Sequence, residues 1–134
     1  MSINKKYLHS ETTNIILKAF YTIINEIPFG LNPEVYKKAL KVECEIAGLA
    51  VEIDYEKKII YKNKNIGSFT IDLIVENQVI VKIASDLELD NRHDYLVKSQ
   101  LKLTDFEVAL ILNFGVEGNH KRLVLTNDLK NNNW

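Results

Sequence analysis

A chain of 134 residues is long enough to bury a core without disulfides or a structural metal, and short enough to form one domain. Its make-up, 46% hydrophobic and 26% charged with two prolines and five glycines, is that of a soluble globular protein. Seventeen basic residues against eighteen acidic ones exclude a protein whose whole surface coats nucleic acid or an anionic membrane, though not one with a local basic patch. No apolar run approaches the roughly 18 residues of a membrane span. The polar start MSINKKYLHSETTN lacks the apolar stretch of a signal peptide, so the expected location is the cytoplasm, away from membranes.

In chain order, Ile15, Ile16, Ala19, Phe20, Ile23, Ile24 and Ile27 recur at helical spacing and predict an amphipathic helix from about Thr12 to Ile27, capped by Ser10 or Thr12. Pro28 and Gly30 end it. A second helix should start at Pro33 after the capping residue Asn32, bury Val35, Ala39, Val42 and Ile46, and stop at Gly48. Short strands are then expected at Leu49–Tyr55 and Lys58–Tyr61 around an EKK turn, with a further turn at Asn63–Gly67. Phe69–Val75 and Val79–Ala84 are apolar on both faces, as central covered strands are. A helix over Asn91–Thr104 carrying Tyr95, Leu96, Leu101 and Leu103, a strand over Glu107–Asn113 and another over Lys121–Thr126 complete the series. The natural packing is α/β (α+β): a single mixed β-sheet flanked by helices, with its core at about 11–126 and loose ends, Trp134 among them.

Single residues suggest little chemistry. Cys44 reads as a small packed hydrophobe in a helix. His9, His93 and His120 have no ligand spacing. Lys57, Lys58, Lys62 and Lys64, interleaved with Tyr55 and Tyr61, form a basic hairpin that either touches a nucleic-acid backbone or guards a sheet edge against aggregation.

Three stretches resemble a bacterial family named for its GxxExxY signature, a small branch of the PD-(D/E)XK nucleases. GLNPEVYKKAL, residues 30–40, is similar to its G-L-L-E-S-V-Y-E-K-A-L. FTIDLIVENQVIVKIAS, residues 69–85, is similar to its R-A-D-L-L-V-E-D-K-V-I-V-E-L-K-A, and LKLTDFEVALILNFG, residues 101–115, to its L-K-L-T-G-x-x-x-G-L-L-I-N-F. The resemblance implies a restriction-endonuclease-like core. It also implies a chemistry in which an Asp and a Glu on adjacent strands hold Mg²⁺, with a Lys two residues after the Glu.

Against that pattern, Asp72 is retained, but the E-x-K reads Lys82-Ile83-Ala84. The helix glutamate falls at Pro33, with Glu34 one residue too late and turned about 100° away. The first helix's E-V-H is Thr22-Ile23-Ile24, and H-x-x-Q ends at Leu96, keeping only His93. Gly30 and Tyr36 of the signature remain, as a chain reversal and a packed ring. A three-residue loop at Glu76-Asn77-Gln78 would put Val75 opposite Val79 and Asp72 opposite Lys82, an ammonium where a metal would sit. No catalytic residue, metal ligand or cofactor is therefore assigned. The expected function is a non-catalytic protein-interaction domain, a pseudonuclease that is a subunit or accessory factor of a larger assembly and binds a protein partner or a second copy. The alternatives are an altered Mg²⁺-dependent nuclease, with Glu34, Glu52 or Asp54 as migrated ligands, and nucleic-acid binding without cleavage.

Overall fold

The computed structural model describes residues 8–130; the expectations for the first residues and for Trp134 lie outside them. The elements run α1 (Ser10–Glu26), α2 (Pro33–Ile46), β1 (Val51–Tyr61), β2 (Lys64–Val75), β3 (Val79–Ala84), α3 (Asn91–Lys102), β4 (Val108–Asn113) and β5 (Asn119–Val124). The five strands form one mixed sheet in sequence order, β1-β2-β3-β4-β5. Only β3 and β4 pair in parallel, with α3 as their crossover; the other neighbours are antiparallel.

Alternation along the central strands sorts side chains onto two covered faces. Leu73, Val75, Val79, Val81, Ile83, Leu110 and Leu112 pack under α1 and α2 with Ile16, Phe20, Tyr36 and Leu40. On the other face Ile74, Ile80, Ala109 and Ile111 meet Val97 and Leu101 of α3. Doubly covered strands explain the unbroken apolar runs of β3 and β4.

The helix ends follow local chemistry. Asn32 caps α2 by accepting the Glu34 N–H at 2.9 Å. At its other end Leu49 N–H bonds the Cys44 carbonyl and Gly48 N–H that of Glu45, with Gly48 at φ 88°, the paired bonds that close a left-handed helix stop. α1 departs from expectation: it begins at Ser10, and His9, at φ 55° and without a side-chain bond, takes the cap position.

The buried face of α2 is also not the expected one. Tyr36, Lys37, Leu40 and Cys44 go inward, while Val35, Val42 and Ile46 are 40%, 53% and 76% exposed. Both stripes have helical spacing, and the larger Tyr36–Leu40 set wins the core. In α3, Val97 and Leu101 are buried with Asp94 and Gln100, and Tyr95 and Leu96 face outward. The polar pair is tolerated inside because Lys121 donates to Asp94 and Gln100 Nε2 donates to the Thr70 carbonyl.

There is no EKK turn. β1 runs unbroken to Tyr61, and Lys62-Asn63, both in the left-handed region at φ 47° and 63°, make a two-residue turn into β2. The expected Asn63–Gly67 turn is therefore mostly strand. A further left-handed residue, Asp54 at φ 55°, sits inside β1. Ile53 before it packs with the α1–α2 cluster, whereas Tyr55 after it packs with the α3 cluster. Residues two apart on a strand ordinarily share a face. The coil at Asp54 thus swings the outer half of the β1–β2 ribbon over the end of α3. Beyond β5, which ends at Val124 rather than Thr126, the expected loose segment starts as a 3₁₀ turn at Asn127–Leu129. Lys130 anchors it by donating to the Thr104 and Phe106 carbonyls.

Candidate functional site

The β2–β3 hairpin turns at Glu76-Asn77-Gln78, with Val75 opposite Val79, Ile74 opposite Ile80 and Leu73 opposite Val81. One step further the ladder opens. There the Ile83 N–H donates to Asp72 Oδ2 at 2.8 Å, so a carboxylate replaces the missing backbone acceptor. The Lys82 ammonium stands 3.5 Å from that same oxygen, and both side chains are only partly exposed, 28% for Lys82 and 22% for Asp72. An ammonium beside a lone carboxylate repels a dication and satisfies the charge without one.

Of the three carboxylates named above as migrated ligands, two are committed elsewhere. Lys37, 4% exposed, donates to Glu34 at 2.7 Å and to Asp54 at 2.5 Å. Burial alone would lower the Lys37 pKa, but hydrogen bonds and charge from Asp54 and Glu34 outweigh it and leave the ammonium raised above its ordinary value. Glu52 is exposed on the edge strand β1. Among the described residues no group of three or more His, Cys, Asp or Glu side chains is placed to hold a metal ion.

Lys82 floors a cleft of about 540 Å³ between the end of β3, the 86–90 loop and the start of α3, with His93 and Leu96 on its wall. His93 is fully engaged: its Nδ1 accepts the Asp90 N–H at 3.3 Å, which leaves Nε2 to donate to Asp86 Oδ2 at 2.9 Å. Asp90 caps α3, and hydrogen bonds from the Arg92 side chain and backbone hold its carboxyl down at about 2. Asn113 fixes the other side of the loop, accepting the Asp86 N–H and donating to the Asp86 carbonyl. These are the bonds of a stapled loop. Neither ring nitrogen of His93 is free to take a proton from a substrate.

The remaining sequence positions are structural. Pro33 is exposed in the first turn of α2, and Ala84 is buried at the end of β3. Gly30 turns the chain at φ 107°. The Tyr36 ring stacks on Phe114 at 4.9 Å, and its hydroxyl donates to the Pro28 carbonyl and accepts the Leu31 N–H, pinning the reversal around Gly30. Cys44 is buried, and burial pushes its thiol up to about 11. Sequence reasoning missed Lys37; the available signal was its place beside Tyr36 and Leu40 on the inward side of α2.

A profile of the PD-(D/E)XK nuclease superfamily matches residues 10–123. The chain belongs to that superfamily. The fold is similar to that of the crystal structure of SSO0001, at a TM-score of 0.58 and 14% identity, covering 90% of this chain. At that identity the likeness speaks to the fold alone, and this chain spans 61% of the length of SSO0001. Among curated proteins none matches the sequence. No helix among the described residues is long and apolar enough to cross a membrane.

Proposed function

We propose that this PD-(D/E)XK domain is a degenerate member of the kind with a G-x-x-E-x-x-Y signature, that it does not cut nucleic acid, and that it serves as a protein-interaction module of a larger assembly. The observation that carries the reading is the Lys82 ammonium 3.5 Å from Asp72. It occupies the strand position where the resemblance calls for a second acidic ligand. Glu34 and Asp54, the nearest candidates for replacement, share the buried Lys37 instead. Hydrolysis by two metal-held oxygens has no second anchor here.

The interaction half of the reading is supported by α2. Val35, Val42 and Ile46 are all at least 40% exposed and recur at helical spacing along one side of α2, with Leu31, 43% exposed, just ahead of its cap. Exposed apolar residues grouped on one face are a mark of protein-binding surfaces.

The test is direct. Purified protein is incubated with plasmid DNA, single-stranded DNA and RNA in Mg²⁺ and in Mn²⁺, beside Asp72→Ala. The expected result is no cleavage above that of the variant. Metal-dependent cutting that Asp72→Ala abolishes would overturn the proposal.

A further inference from the structure

The outer half of the β1–β2 ribbon is a surface separate from the cleft. β3 pairs with β2 only at Leu73–Val75, so the seven rungs from Tyr55–Ile71 to Tyr61–Lys64 lie beyond the body of the sheet. At about 3.3 Å per residue they reach about 20 Å. The base rests on α3 through Phe69 and Tyr55, while residues 60–68 are all exposed.

Charge is concentrated on this arm. Residues 55–70 hold four lysines and one acid, net +3, in a chain of net −1; everything else therefore carries −4. Among the described residues none of Lys57, Lys58, Lys62 and Lys64 is in a salt bridge. The left-handed Lys62-Asn63 turn keeps the tip two residues wide, and Lys62 lies over the Tyr61 ring at 5.4 Å. A ribbon needs no such charge to avoid edge pairing at its very tip, where there is little edge to protect.

We infer that the arm binds double-stranded DNA, entering the major groove and contacting phosphates through Lys57, Lys58, Lys62 and Lys64. The major groove of B-form DNA, about 12 Å wide, admits a two-stranded ribbon, whereas the deep, narrow major groove of duplex RNA does not. Binding is electrostatic and without strong sequence preference, since phosphate contacts carry no base information. It is independent of Asp72 and of any cleavage.

The experiment is fluorescence anisotropy with a labelled 20-base-pair duplex in EDTA, over a NaCl series. Four phosphate contacts predict a slope of log K against log[NaCl] of about −3.6. Replacing all four lysines by Gln should weaken binding at least tenfold at 50 mM NaCl, while Lys18→Gln/Lys38→Gln, exposed on the helices, should change it less than twofold. Far-UV circular dichroism checks the fold; if the fourfold variant does not fold, Lys62→Gln/Lys64→Gln at the tip should still flatten the slope by about two. Asp72→Ala should bind as the parent does. The inference fails if no duplex is bound at 50 mM NaCl, or if arm and control variants weaken binding equally. It also fails if duplex RNA is bound as tightly as DNA, or if phosphatidylglycerol vesicles are bound and DNA is not.

Discussion

Asp72 Oδ2 is shared: it accepts the Ile83 N–H at 2.8 Å and faces the Lys82 ammonium at 3.5 Å. The two partners are not equivalent. Lys82→Ala removes a partly solvated ion pair and should change stability by less than about 1 kcal/mol. Asp72→Ala leaves a backbone donor unsatisfied where the strands part, and should cost about 1–3 kcal/mol in urea unfolding. Equal losses would show that the ion pair, not the N–H cap, is what holds this point of the sheet.

Lys82→Glu reverses the electrostatics. Two facing carboxylates repel each other, so the variant should melt below the parent and regain stability in Mn²⁺. A dication at a hundred times its Kd stabilises by about 2.7 kcal/mol. Thermal melts with and without Mn²⁺ should therefore separate the variant, which responds, from the parent, which does not.

Lys37 is a buried cation held by two half-exposed carboxylates. Replacing it with Met keeps the volume and lets Glu34 and Asp54 hydrate, so the net change at pH 7 should be within about 1 kcal/mol. The pH dependence is the sharper readout. Since the folded ammonium is raised above its ordinary 10.5, its contribution is full below that value and is lost as pH rises through the folded pKa. Parent stability should fall more steeply than that of Lys37→Met above about pH 10.5.

Cys44 gives a second alkaline window. Its thiol is raised from 9.0 to about 11, so folding favours the neutral form below 9 and that advantage disappears as pH climbs through about 11. Cys44→Ala should lose this component of the alkaline limb. In the parent, a thiol reagent at pH 8 should react at the rate of unfolding rather than of a free thiol.

Tyr36→Phe keeps the stacked ring and removes one hydroxyl that serves two backbone groups. The cost should be about 1–2 kcal/mol, with amide exchange at Leu31 accelerated and that in β4 unchanged.

The order of elements and the central strands were legible because fully covered β-strands write continuous apolar runs, and because Asn32 and Gly48 are unambiguous helix ends. The Asp72–Lys82 juxtaposition was legible too, since a three-residue hairpin loop sets the register. What escaped was decided by competition or by tertiary context. α2 carries two stripes at the same spacing, and only the packed structure selects Tyr36 and Leu40 over Val35 and Val42. Lys37 reads as a surface charge because its partner Asp54 is 17 residues away. The length of β1 was hidden by Glu56-Lys57-Lys58, which looks like a turn and is instead one solvent-facing stretch of a ribbon.

The division of charge, +3 on the arm and −4 over the rest of the chain, has a consequence for motion. A nearly neutral molecule with a positive excess on one projecting ribbon is turned by an external negative field before contact. Most random collisions with an anionic surface would otherwise present the acidic body. The torque converts them into arm-first approaches, so the molecule's encounter rate should be set by ionic strength even though its net charge is almost nil.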